Sequence, residues 1–152
     1  MGKRRLSRKI VLQFLYQVDS TSTGGAYPQS SYLRSNFESF CSLHHEAADG
    51  EMLEFAFLLC RGVLENIDAI DGILNSCSEN WKVSRMSRVD RNILRLSVCE
   101  IVFLSDIPLP VTINEAIEVA KEFGSETSAA FINGILDKIG KSMERGEFGD
   151  DN

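Results

Sequence analysis

The chain has 152 residues, 43% apolar and 25% charged, with a net charge of −6, values that fit one soluble globular domain and exclude a low-complexity or fibrous chain. No apolar run approaches the ~20 residues that span a bilayer. The basic start lacks a continuous apolar stretch and cleavage site, so neither membrane anchor nor secretory leader is expected. Cys41, Cys60, Cys77 and Cys99 form no CxxC pair and mostly keep apolar company. They read as buried thiols of a cytoplasmic protein, with disulfide or metal use the weaker alternative.

Helical periodicity runs through the chain and no alternating strand pattern appears. In residues 3–19, Leu6, Ile10, Phe14 and Val18, with Val11 beside them, make one apolar stripe. Lys3, Arg4, Arg5, Arg8 and Lys9 supply five positive charges before the first acid, Asp19, which leaves a balance of −11 for the rest. On a helical wheel Arg4, Arg5, Arg8 and Lys9 point away from the stripe, with Leu12 and Tyr16 continuing their face. Three readings are open: a solvated extension, a membrane-surface helix, or a phosphate-binding helix start. Cations at a helix N-terminus oppose the macrodipole, and arginine forks onto phosphate bidentately, which favours the third. On that reading Arg8→Glu weakens RNA binding and leaves thermal stability nearly unchanged.

A loop is expected over 20–28 and a short amphipathic helix over 29–42, through Tyr32, Leu33, Phe37 and Phe40. Residues 51–75 form a long apolar helical stretch with a break expected near Glu65–Asn66. "SENWKVSRM" links it to a helix capped by Ser87, with Asp90 three residues on. That helix runs to Leu104 and is apolar nearly all round, so it should be the central one. Lys82, Arg85, Arg88, Arg91 and Arg95 form a second basic cluster, which either pairs with carboxylates of neighbouring helices or extends a nucleic-acid surface.

Pro108 and Pro110 imply an extended link. Thr112 and Glu115 are read as a capping box opening a helix that stops at Gly124, and Ser125 as the start of the last helix. Gly62 and Gly134, inside helical patterns, imply close helix–helix approach. One domain is expected over 1–143, with an acidic, Gly-rich and disordered tail over 144–152. Phosphate-loop, GxGxxG, GxSxG and HExxH motifs are absent. His44 and His45, the only histidines, read as part of a solvated helix end. No catalysis and no cofactor are expected.

"RLSRKIVLQFLYQVD" (5–19), "RVDRNILRLSVCEI" (88–101) and "PVTINEAIEVAKEFGSETSAAFINGILDKI" (110–139) together resemble the NusB family, in order and at fitting separation, over roughly half the chain. The resemblance implies an all-α protein of about seven helices in two packed three-helix subdomains. It implies a non-enzymatic transcription antitermination factor that binds boxA RNA of ribosomal RNA operons with NusE, a small-subunit ribosomal protein, on RNA polymerase. It places RNA contacts at Lys3, Arg4, Arg5, Arg8, Lys9, Thr127 and Phe131, and NusE contacts at Tyr16 and Asp90. A homodimer is compatible with it. Lys9 stands where the family usually has glutamate, and Thr127 where relatives can carry an acid. A protein-only scaffold remains the rival, as does a domain related to ribosomal RNA cytosine methyltransferases, for whose catalytic part 152 residues leave no room.

Overall fold

The computed structural model describes residues 2–21, 30–44, 49–104 and 106–146. These form seven α-helices and one 3-10 turn: α1 Gly2–Thr21, α2 Ser30–His44, α3 Gly50–Glu65, α4 Ile67–Cys77, the turn Val83–Arg85, α5 Arg88–Phe103, α6 Leu109–Phe123 and α7 Ser128–Glu144. The loop expected over 20–28 and the tail beyond Gly146 fall largely outside the described residues.

Local chemistry sets several boundaries. The long apolar stretch breaks at Asn66, whose backbone N–H bonds the Val63 carbonyl while its side-chain amide bonds the Gly62 carbonyl at 2.8 Å. This satisfies carbonyls that the end of α3 leaves unpaired. Asp49 caps α3 by accepting the Met52 N–H at 2.9 Å, and Ser87 caps α5 by accepting the Asp90 N–H at 3.1 Å, as the capping pattern predicts.

The start of α6 differs from the sequence reading. The helix opens at Leu109 with Pro110 in its first turn, where a missing N–H costs nothing. Thr112 and Glu115 lie inside it and reach other helices: Thr112 Oγ1 donates to Glu100 at 3.0 Å and Glu115 binds Arg5. α7 begins at Ser128, three residues after the expected Ser125.

α5 is the hub. It packs against α1, α3, α4, α6 and α7, and its residues Asn92 to Glu100 are all buried. α1 contacts both α3 and α5, which also contact each other. One continuous core runs through all seven helices, so the two expected three-helix subdomains pack together around α5. Packing against both helices also corrects the wheel drawn for α1. Leu12 and Arg8, assigned outward, are 2% and 3% exposed, whereas Leu6 is 37% exposed.

Gly62 meets its expected role, since a Cβ there would lie 2.7 Å from Cys99 Sγ. Gly134 does not, because nothing stands within 4 Å of a Cβ at that position. All four cysteines are free and buried. Burial pushes the Cys99 thiol up to about 12 and the Cys60 thiol well above its usual range.

Candidate nucleic-acid interface

Ion pairs along α1 fix its direction against α5. Arg8 bonds Glu100, and one helix length away Asp19 takes Arg91 at 2.7 Å, the Asn92 amide at 3.0 Å and Arg95 at 3.3 Å. Ascending α1 positions thus meet descending α5 positions, so the two helices run antiparallel. The basic opening of α1 lies beside the end of α5. Tyr16, one turn before Ser20, lies beside its start.

Each cation of the opening has a carboxylate or a ring beneath it. Lys3 contacts Asp49 at 3.1 Å and Glu51 at 3.4 Å. Arg5 grips Glu115 with two bonds of 2.9 and 2.8 Å. Lys9 meets Glu122 at 2.7 Å, and the Arg4 guanidinium lies 4.4 Å above the centre of the Phe55 ring, within cation–π range. Acids at the start of α3 and along α6 therefore hold a row of positive groups in place. The bond from Arg5 outweighs partial burial and keeps the Glu115 carboxyl below its ordinary value, and the same partnership raises Arg5.

Arg8 differs from its neighbours. Its Nε and Nη2 bond the two Glu100 oxygens at 2.7 and 2.8 Å, and Nη1 stands 3.6 Å from Glu115. It forms part of the groove lined by Arg4, Arg5, Ile107, Pro108 and Val111, yet it is 97% withdrawn from water. The expectation of a freely exposed Arg8, replaceable without loss of stability, is therefore wrong. A cation fully engaged by two acids is an internal support for this surface.

The other predicted residues cluster at the opposite end of α5. Asp90, Thr127 and Phe131 line one open groove with Trp81, Arg85, Met86 and Ser87. Asp90 accepts the Ser128 hydroxyl at 2.6 Å, which ties the start of α5 to the start of α7. Ten residues of α5 separate Asp90 from Glu100, roughly 15 Å at helical rise. The predicted RNA residues thus form two patches, one at each end of α5. Tyr16 is 42% exposed and lies toward the Asp90 end.

The second basic cluster divides. Arg91 and Arg95 are internal, bound to Asp19 and, for Arg95, bidentately to Asp71 at 2.8 Å. Burial works to raise the Asp19 carboxyl, but bonds from Arg91 and Asn92 and the charges of Arg91 and Arg95 bring it below its ordinary value. Lys82 donates to the Asn75 and Ser78 carbonyls. Arg85 and Arg88 are exposed and have no carboxylate partner among the described residues.

Sequence reasoning missed Trp81 and Arg85 as walls of the Phe131 groove. A lone tryptophan in the polar stretch "SENWKVSRM" was the available signal. Among the described residues no His, Cys, Asp and Glu group could hold a metal, and no helix is long and apolar enough to cross a membrane. His44 lies at the end of α2 with its ring 4.8 Å from that of Phe40.

A profile of the NusB family matches residues 5–141. The transcription antitermination protein NusB of Geotalea daltonii is 47% identical over 145 residues, covering 94% of this chain and 97% of that protein. A structure of T. maritima NusB is 37% identical with a TM-score of 0.75, covering 95% of this chain and 97% of that one. A chain from a crystal structure of antitermination factors NusB and NusE in complex with dsRNA is 25% identical with a TM-score of 0.79. It covers 93% of this chain and 98% of that one.

Proposed function

We propose, from the premise that this chain belongs to the NusB family of transcription antitermination factors, that it is a non-enzymatic adaptor seating boxA-containing RNA together with NusE on transcribing RNA polymerase. The observation that supports this reading most directly is the row Lys3, Arg4, Arg5 and Lys9, held in place by acids of α3 and α6 and by the Phe55 ring. Phosphates exchange with those carboxylates, since both bind arginine and lysine through charge-assisted bonds.

Phosphate contacts position a strand but read no sequence. Base contacts fall to the second patch, where Phe131 offers an aromatic face for stacking and the Thr127 hydroxyl a group that reads a base edge. Tyr16 and Asp90, exposed or half-buried near the start of α5, form the NusE-facing side in this account. The solved complex of NusB and NusE with dsRNA is a relative in which protein and RNA partners occur together. Because the two patches of this chain lie at opposite ends of α5, a partner that completes the surface strengthens binding beyond what either patch achieves alone.

Titration of a fluorescent boxA RNA beside a scrambled RNA, with and without NusE, tests the proposal. Preferential boxA binding that NusE tightens is expected. Equal affinity for both RNAs in the presence of NusE would leave only a charge-driven contact and favour the protein-only scaffold.

A further inference from the structure

We infer that Trp81 and Arg85, facing Phe131, form a clamp for one nucleotide of single-stranded RNA, its base stacked on the indole and its phosphate on the guanidinium. The inference rests on the RNA-binding reading above and adds two residues that the family resemblance did not bring forward.

Trp81 is the only tryptophan of the chain and is 51% exposed. Leaving so large a ring in water forgoes burial that the core could have used. Its setting is nonetheless ordered. The Ser78 hydroxyl donates to the Trp81 carbonyl, and the Lys82 ammonium donates to the Asn75 and Ser78 carbonyls at 3.0 and 3.3 Å. The Asn75 side-chain oxygen accepts the Val83 N–H at 2.8 Å. Val83 and Met86 are buried close by in the chain. A ring presented by a braced segment loses little further freedom when a ligand stacks on it.

The space beside the indole is already open. A groove of about 380 Å³ is lined by Trp81 and Arg85 from the segment before α5 and by Thr127 and Phe131 from the start of α7. A second, of about 300 Å³, shares Trp81 and Phe131 and is also lined by Ala130, Gly134 and Lys138, the last paired with Glu79 at 3.4 Å. Two aromatic rings therefore border both grooves, a layout suited to a flat base with chain continuing on either side.

Charge selects the occupant. Lys3, Arg5, Arg8, Lys9, Arg91 and Arg95 are all paired with carboxylates, whereas Arg85, at the groove, has no carboxylate partner among the described residues. A guanidinium with no carboxylate partner takes a phosphate without first giving up an internal ion pair. The Asp90 carboxylate also lines the groove, with one oxygen already engaged by Ser128. It repels phosphate from its own position, which directs the phosphate to Arg85 and away from the Asp90 wall. Stacking on an aromatic face tolerates any base, so the clamp adds affinity more than sequence choice.

Because Trp81 is the sole tryptophan, its emission reports the clamp directly. A short boxA RNA carrying fluorescein is titrated into the protein, with anisotropy reporting binding and, in a parallel unlabelled titration, indole emission reporting stacking. Saturable quenching at the same midpoint is expected. Trp81→Ala should weaken binding about tenfold, while Trp81→Phe should hold it within about twofold. Arg85→Gln should flatten the salt slope by about 0.7, one phosphate on a single strand, with an unchanged melting curve.

Anisotropic binding without quenching, together with wild-type affinity in both Trp81→Ala and Arg85→Gln, would overturn the clamp and leave the RNA-binding reading standing. Emission that responds to NusE alone, with Trp81→Ala losing NusE but not RNA, would also overturn it and make the groove a protein contact. No binding of the labelled RNA under any salt condition, with or without NusE, would sink both.

Discussion

Arg8 and Glu100 meet as a buried two-pronged ion pair, with bonds of 2.7 and 2.8 Å and a third bond to Glu100 from Thr112 Oγ1 at 3.0 Å. One pair thus joins α1, α5 and α6 at the base of the basic surface. A buried charge that loses its partner is left uncompensated, at a cost of about 3–5 kcal/mol. Arg8→Ala and Glu100→Ala should each destabilise by that amount in urea unfolding, and the double variant should lose clearly less than the sum. Additive losses would mean that the two side chains act independently.

The Asp19 staple makes a pH prediction. Its folded-state pKa lies below the ordinary value because Arg91, Asn92 and Arg95 together outweigh burial. A depressed carboxylate pKa adds stability that is fully present above about pH 4 and is lost as the pH falls through the folded value. The Glu115 carboxyl, lowered chiefly by Arg5, acts in the same direction. Wild-type stability should therefore drop steeply below about pH 4, and Asp19→Asn should show a shallower fall from a lower neutral-pH plateau. Parallel acid titrations by circular dichroism compare the two, and identical slopes would show that Asp19 carries no such linkage.

Much of the fold was readable because it follows local rules. The break at Asn66, the Ser87 cap, the Gly124 stop and the buried character of α5 all depend on residues within a turn or two of each other. Errors arose where tertiary partners overrode local patterns. Thr112 and Glu115 have capping-box spacing but serve Glu100 and Arg5 on other helices. Arg8 looks outward on a wheel and is buried because Glu100, 92 residues away, neutralises it. No one-dimensional pattern shows that pairing. Family resemblance named Asp90 and Phe131 for different partners, and their place in one groove with Trp81 and Arg85 follows only from the packing of α5 and α7.

Gly62 and Gly134 should respond to alanine with opposite signs. At Gly62 the new methyl meets Cys99 Sγ at 2.7 Å, an overpacking that typically costs 1–3 kcal/mol. Gly134 is exposed inside α7 with nothing near its Cβ position, so Gly134→Ala should stabilise by up to about 1 kcal/mol through helix propensity. Thermal melts of the two variants read the difference directly, and destabilisation by Gly134→Ala would reveal a constraint that the packing does not contain.

Glu122 restrains Lys9 through a pair at 2.7 Å whose partners keep side-chain exposures of 49% and 28%. Surface pairs of this kind are worth little to folding, so Glu122→Gln should leave the melting point nearly unchanged. It also removes the carboxylate that competes with phosphate for Lys9. RNA affinity at low salt should rise roughly two- to fivefold, and the gain should fade as salt is added. Weaker RNA binding in this variant would mean that the acid orients Lys9 rather than occupying it.

The most direct measurement for the central claim is the salt dependence of boxA RNA binding for wild type and for Lys3→Gln/Arg4→Gln/Lys9→Gln. This triple variant spares Arg5 and Arg8, which hold Glu115 and Glu100. Three lost phosphate contacts should make the slope of log affinity against log salt less steep by about 2, at ~0.7 per single-strand contact, with the fold intact by circular dichroism. The same affinity and slope in both proteins would show that the basic opening of α1 does not carry the RNA.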